Sequence, residues 1–172
     1  TGMMLAPRLA RPPAVDRLTP PIGSLTWQLT RPSKGSIDDL VLTSRPQAAG
    51  LLEAGQVRIA VRAAGISYRD VLSVSGAGDT ADLGIEGAGE VTEVGPQVDG
   101  FEVGDRVMGL MPAAFGPVTI TDQRLLAKIP SSWSFEQAAT VPMAFLSAWH
   151  ALVEVARLGE GKRLLVHSAT GG

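Results

Sequence analysis

The chain has 172 residues, which is enough for one domain with its own hydrophobic core and part of a second. Hydrophobic residues make up 45% and charged residues 19%, a balance that is typical of globular rather than disordered proteins. The 15 basic and 17 acidic residues give a net charge of −2 without a basic cluster, so nucleic acid and membrane surfaces are poor candidate partners. The sequence has no cysteine, which excludes disulfides and thiolate metal sites and favours a cytoplasmic location.

The first half of the sequence predicts a linker followed by short strands. Residues 1–23 are rich in proline and lack periodicity, which indicates an extended interdomain lead-in. A short helix is predicted after Gly65, with Ser67 as its N-cap. Alternation of apolar and polar residues predicts strands at residues 25–29, 40–43 and 57–61.

Glycines punctuate the sequence from residue 84 onwards, between short apolar stretches. Further strands are predicted after the turn at Gly104, at residues 118–120 and at residues 125–129. Many short strands joined by such turns indicate a barrel-like β domain, which we assign to residues 24–130.

Residues 131–172 change from strand to helix patterns. Ser134 and Gln137 form a predicted capping box, and Pro142 fits the first turn of a longer helix that Gly159 is expected to end. A buried strand at residues 163–168 then leads into a glycine turn. A strand followed by such a turn begins the first βα unit of a dinucleotide-binding domain, whose next helix would hold the pyrophosphate.

Several segments resemble a known family. Residues 63–72 (AAGISYRDVL) resemble the A-G-x-N-F-R-D-V-L segment of enoylreductase domains in modular type I polyketide synthases. Residues 167–172 resemble the start of the H-x-A-x-G-G-V-G loop of that family. Further matches in the same order lie at residues 7–11, 84–89, 104–110 and 114–117.

The sequence is therefore identified as a member of the zinc-free, quinone-oxidoreductase-like branch of the medium-chain dehydrogenase/reductase superfamily. This resemblance implies a mainly β fold class. A GroES-like, barrel-type catalytic domain at residues 24–130 would be followed, at 131–172, by a helix and the first strand of an incomplete Rossmann-type α/β domain.

The resemblance also implies a reaction without a metal. The zinc-dependent branch has G-H-E where this sequence has Gly84, Ile85 and Glu86, and the cysteine ligands of that branch have no counterpart here. The implied reaction is NADP(H)-dependent reduction of the 2,3-double bond of an enoyl thioester. The implied partners are the acyl carrier protein that holds this thioester and a neighbouring ketoreductase domain of the same synthase.

Three residues are assigned by the resemblance to the nicotinamide side of the cofactor. Ser67 and Tyr68 would line the nicotinamide pocket, and Ser147 would bond to the nicotinamide. Each has a plain alternative: an N-cap for Ser67, an aromatic core residue for Tyr68 and a polar spot on a helix for Ser147. The pyrophosphate would contact Ala169, Thr170, Gly171 and Gly172.

Other candidates concern the substrate. Tyr68, Gly78 and Phe115 are candidate pocket residues. Gly78 stands where many relatives carry a tyrosine that points at the substrate, so the proton donor remains open. Arg69 and Asp70 are expected to form a local ion pair. An apolar channel for the acyl chain, or ordinary core packing, is expected from Met108, Met111, Phe115 and Met143.

Two other functions remain open for this sequence. One is a stand-alone zinc-free quinone or enone reductase, and the other is a non-catalytic scaffold segment. Because the helix of the first βα unit is not in the sequence, we expect this chain alone to be inactive.

Overall fold

The computed structural model describes residues 18–32, 37–75 and 83–167. Most of the predicted lead-in at residues 1–23 therefore lies outside the described residues. The same is true of the candidate site residues Gly78, Ala169, Thr170, Gly171 and Gly172.

Short strands and helices alternate along the described chain. The strands are β1 (Trp27–Thr30), β2 (Val41–Ser44), β3 (Gln56–Ala64), β4 (Glu86–Val94), β5 (Arg106–Leu110), β6 (Val118–Asp122) and β7 (Leu126–Lys128). The helices are α1 (Tyr68–Val74), α2 (Phe135–Ala139) and α3 (Pro142–Trp149), which continues as a wider π-helical turn over His150–Val155. Short 3-10 turns lie at Ile37–Asp39, Pro46–Ala49 and Gln123–Leu125.

The strands form two antiparallel sheets. A five-stranded sheet has the order β6-β3-β4-β5-β7, and β1 pairs with β2 in a separate two-stranded sheet. The mainly β prediction is confirmed, and every predicted strand up to residue 129 overlaps one of these strands. β4 lies at the centre of the larger sheet.

The core lies against β3, β4 and β5. Val57 and Ile59 alternate along β3 and are fully buried, together with Val91 and Val107 of the neighbouring strands. Burying each such side chain contributes about 1.5–3 kcal/mol. A second cluster joins α2 to the sheet, where Ala138 and Ala139 contact Ala88 and Ile129.

The predicted strand at residues 163–168 is wrong over its described part. Residues 162–167 have no regular secondary structure, and Leu164, Leu165 and Val166 are at least half exposed. A strand must satisfy its backbone N–H and C=O groups by pairing, and no strand of the described ranges pairs with this segment. The first strand of a Rossmann-type domain is therefore not formed in this structure.

The predicted helix end at Gly159 is also wrong. The helical segment ends at Val155 with Ala156 as its C-cap, and Arg157 takes the left-handed conformation with φ of 47°. The Leu158 N–H donates to the Leu152 carbonyl over 2.8 Å and closes this end. None of the helices formed by the described residues is both long and apolar enough to cross a membrane.

Candidate functional site

A cavity of about 810 Å³ contains three of the predicted cofactor residues. Its first wall comprises residues 65–69 and Val71, at the start of α1. Its second wall comprises residues of and just before α3, and Glu86 of β4 also lines it. We call this space the site cavity. The second-wall residues are Thr140, Met143, Ala144 and Ser147.

Ser67 and Asp70 form the local structure that shapes the first wall. The Asp70 N–H donates to Ser67 Oγ over 3.3 Å, and the Ser67 N–H donates to Asp70 Oδ2 over 2.8 Å. This reciprocal capping box begins α1 at Tyr68, so the predicted N-cap is confirmed. Asp70 is only 3% exposed, and its Oδ1 accepts the Gly84 N–H over 2.9 Å.

The expected ion pair between Arg69 and Asp70 is wrong. The Asp70 carboxylate points into the fold, where Ser67 and Gly84 occupy its oxygens. Arg69 lies on the exposed side of α1 and lines the site cavity. A buried carboxylate requires hydrogen-bond donors, and three nearby protein donors provide them without a cation.

The Ser67 hydroxyl can serve a ligand only as an acceptor. Its proton is donated to Asp70 Oδ2 over 2.8 Å, and one lone pair receives the Asp70 N–H. One acceptor position of the hydroxyl therefore remains. Capping and ligand contact are compatible at this residue.

Tyr68 opens α1 and is 75% exposed within the site cavity. The alternative that Tyr68 is an aromatic core residue is therefore wrong. Ser147 lines the same cavity from α3, which begins with Pro142 in its first turn as expected. The structure thus brings Ser67, Tyr68 and Ser147 together, and their contact with a cofactor stays a prediction.

Glu86 was missed by the sequence analysis. It lies at the start of β4, is 5% exposed, and accepts the Met143 N–H on Oε2 over 2.8 Å. The sequence signal was a carboxylate in an otherwise uncharged run from Leu83 to Gly89. Its partner is 57 positions away, so no local pattern identifies the contact.

Phe115 does not join Tyr68. It lies in a second cavity of about 590 Å³. Ile66 and Val71 line both this cavity and the site cavity. Tyr68 and Phe115 therefore line two adjacent cavities, and the role of each at a substrate stays a prediction. The Phe115 backbone packs closely against the turn at Gly84, which has φ of 77°. This approach requires glycine, because a Cβ at position 84 would lie 2.6 Å from the Phe115 nitrogen.

The expected channel of Met108, Met111, Phe115 and Met143 is not formed. Met111 is completely buried in the core, which confirms the packing alternative for this residue. Met108 lies three residues before Met111, and residues an odd number apart on an extended chain point to opposite faces. Met108 therefore faces a groove beside α3. Met143 lines the site cavity.

The family match covers this arrangement. Residues 53–147 match the family described as Alcohol dehydrogenase GroES-like domain. The match extends from the turn before β3 to most of α3 and contains every residue of the site cavity. It comprises more than half of the chain. The chain belongs to this family.

Relatives of this GroES-like chain include polyketide synthase proteins and enoyl reductases. It is 50% identical over 172 residues to the spectinabilin polyketide synthase system protein NorB of Streptomyces orinoci, covering 99% of this chain and 8% of NorB. The crystal structure of CurK enoyl reductase superposes with a TM-score of 0.72 at 31% identity, over 80% of this chain and 45% of that one. The mycobacterial protein Rv1454c, in a structure complexed with NADPH, superposes with a TM-score of 0.65 at 26% identity, over 76% of this chain and 40% of that one.

These matches confirm the resemblance to polyketide synthase enoylreductases and the GroES-like fold class. The GroES-like chain spans less than half the length of each relative named above.

Proposed function

We propose that this chain is the substrate-side part of an NADPH-dependent enoylreductase. The complete enzyme would reduce the 2,3-double bond of an enoyl thioester on an acyl carrier protein during polyketide chain extension. The observation that supports the proposal most directly is the site cavity, where Ser67, Tyr68 and Ser147 meet within a GroES-like domain. Its relatives are polyketide synthase proteins and enoyl reductases.

The lining of the site cavity fits a nicotinamide ring. Its volume of about 810 Å³ falls in the range of roughly 300–1,000 Å³ that small-molecule sites occupy. Ile66 and Met143 supply apolar contact, and the hydroxyls of Ser67, Tyr68 and Ser147 supply polar groups. When bound, NADPH supplies the hydride that the β-carbon of the substrate receives.

The residues of this chain would position the reacting groups and exclude water. Hydride addition places an electron pair on the thioester carbonyl, and the α-carbon then takes a proton, so no covalent nucleophile is needed. Ser67 would accept a hydrogen bond from the ligand, because its own proton is held by Asp70. The proposal assigns no proton donor, since Gly78 lacks a hydroxyl and the family pattern has Phe at the position of Tyr68.

The partners of the complete enzyme would be the acyl carrier protein and a ketoreductase domain of the same cytoplasmic synthase. We propose that the chain alone does not catalyse, because residues 163–167 form no strand to support the pyrophosphate site.

The test is NADPH oxidation by this chain joined to the nucleotide-binding domain that follows it in the family. A crotonyl thioester on an acyl carrier protein and a simple quinone are offered separately. We expect faster turnover of the thioester. Turnover of the quinone alone would assign the chain to the stand-alone quinone or enone reductases, and no turnover of either would favour a scaffold segment.

Ser147→Ala tests the cavity within the same assay. We expect the KM for NADPH to rise by about threefold to tenfold, as for the loss of one hydrogen bond of about 0.5–1.5 kcal/mol. The matched control is Ser132→Ala, in an exposed turn outside the site cavity, and it should leave the KM unchanged. Equal KM values in both variants would remove Ser147 from the cofactor site.

A further inference from the structure

We infer that Glu86 is a positioning residue that ties the two walls of the site cavity together and so holds Ser147 in register with Ser67 and Tyr68. Glu86 contacts Met143 in one wall and Gly65 in the other. Its consequence for catalysis rests on the proposed function.

The backbone of Glu86 is held in the five-stranded sheet. It begins β4, the central strand of the five-stranded sheet, where it pairs with Leu110 of β5. The three residues that follow it in β4 are also buried. A side chain on a central strand holds its position more precisely than one on a loop.

Gly65, in the first wall, contacts both the backbone and the side chain of Glu86. The Gly65 N–H donates to the Glu86 carbonyl over 3.2 Å, just before the Ser67 cap. The Glu86 side chain also lies against the Gly65 backbone. A Cβ at position 65 would lie only 2.6 Å from Glu86 Cγ, Cδ and Oε1. The absence of a side chain at Gly65 therefore gives the carboxylate the space that it occupies.

The second wall is held by the carboxylate itself. The Met143 N–H, at the second position of α3, donates to Glu86 Oε2 over 2.8 Å. The first N–H groups of a helix have no partner within the helix, and a negative charge at this end is favourable. Ser147 follows Met143 by four residues, so the two residues share one helix face. The hydrogen bond that holds the Met143 backbone in place therefore also sets the position of Ser147 on α3.

The burial of Glu86 supports this role over simple packing. A buried carboxylate loses its hydration, and an apolar residue of similar size would fill the space without that cost. Among the residues that the structure describes, no cation forms an ion pair with Glu86. The hydrogen bond to α3 is the interaction that requires an oxygen here.

Glu86→Gln and Glu86→Leu separate positioning from charge. Both are made in the chain joined to the nucleotide-binding domain that follows it in the family. Gln keeps an oxygen acceptor for the Met143 N–H, so we expect kcat and the KM for NADPH to stay within about twofold of the parent. Leu leaves that N–H without its partner, and we expect the KM for NADPH to rise about tenfold or more.

Thr119→Val is the matched control for a loss of stability alone. The Thr119 side chain is completely buried and its hydroxyl donates to the Pro112 carbonyl over 2.6 Å, away from the site cavity. This variant should lower the melting temperature without changing the KM for NADPH. A melting temperature lowered in Glu86→Leu at an unchanged KM would overturn the inference. An equal loss of kcat in Glu86→Gln and Glu86→Leu would also overturn it, because the charge itself would then be required.

Hydrogen exchange gives a second measurement that does not depend on activity. In this chain by itself, the Met143 amide should exchange slowly in the parent and in Glu86→Gln. It should exchange at least about tenfold faster in Glu86→Leu, and also in Gly65→Ala, whose Cβ would displace the carboxylate. Unchanged protection in both variants would overturn the tie. If the parent reductase turns over no substrate, the proposed function fails while this measurement still decides the tie.

Discussion

Asp70 shows how much of the site cavity depends on one buried carboxylate. It accepts the N–H and the hydroxyl of Ser67 and the N–H of Gly84, so it joins the first wall to the turn before β4. All three donors are within the protein, and Asp70 is almost completely buried. Any change that turns an acceptor oxygen into a donor should therefore leave buried groups facing each other without a hydrogen bond.

Asp70→Asn makes that change with little alteration of shape. The amide nitrogen must face either Ser67 or Gly84, and both offer donors. We expect the free energy of unfolding to fall by about 1–3 kcal/mol, measured by urea denaturation of this chain. Asp99→Asn, at an exposed position, is the control and should change stability little. An Asp70→Asn protein as stable as the parent would contradict this account of the first wall.

At the scale of elements, the turn before β5 is joined to β7 by a charged pair. Asp105 accepts the Glu102 N–H over 2.9 Å and pairs with Lys128 Nζ over 2.8 Å. The hydrogen bond from Lys128, with that from the Glu102 backbone, lowers the pKa of Asp105 below its ordinary value of 3.8. The carboxylate is thus held in its charged form in the folded chain.

This lowered pKa predicts a loss of stability in acid. The folded chain binds a proton at Asp105 less readily than the unfolded chain, so the contribution is complete well above the ordinary pKa of 3.8 and is lost as the pH falls through the folded pKa. We expect Lys128→Met to reduce this loss between about pH 5 and pH 2. The difference at neutral pH should be about 1 kcal/mol or less, because Lys128 is half exposed.

Urea denaturation at several pH values measures the effect. Lys162→Met is the control, because the Lys162 ammonium donates to the Arg157 carbonyl and not to a carboxylate. It should keep the acid dependence of the parent. An identical pH dependence in the Lys128→Met chain and the parent would show that the pair contributes nothing.

Elements set by local chemistry were predictable from the sequence. The alternation through Val57 and Ile59 marked β3, and Ser134 with Gln137 marked the start of α2, because both signals lie within a few residues. Residues 163–167 carried an equally clear apolar pattern, yet a strand needs a partner strand and local sequence does not supply one. In the site cavity, the capping role of Ser67 followed from local sequence, and the family resemblance pointed to Ser67 and Tyr68 as cofactor residues. The contact of Glu86 with Met143 and the separation of Phe115 from Tyr68 depend on the folded chain.

Across the whole molecule, the two cavities meet at the start of α1. Ile66 and Val71 line both of them and are more than half exposed. The second cavity offers mainly apolar surface, and the hydrogen bonds of Asp70 to Ser67 and Gly84 already occupy that carboxylate. Under the proposed function, a thioester in the site cavity would extend its apolar acyl chain past Ile66 into this space. The other apolar residues of the second cavity are Leu29, Ile37, Leu40, Val74, Leu83 and Phe115.

Leu40→Trp tests this path, because a larger side chain from the segment before β2 would reduce the space for a long acyl chain and leave the site cavity unchanged. We expect turnover of a crotonyl thioester to stay near that of the parent. The kcat/KM for an octenoyl thioester should fall about tenfold or more, because each methylene excluded from apolar surface costs about 0.8 kcal/mol.

Leu51→Trp is the matched control, since Leu51 is almost fully exposed and lines neither cavity, and it should affect neither substrate. Equal losses on both thioesters would indicate a general disturbance of the site. Unchanged kcat/KM for the octenoyl thioester would mean that the acyl chain leaves the site cavity by another route, because a tryptophan in the second cavity would obstruct any chain that lies there.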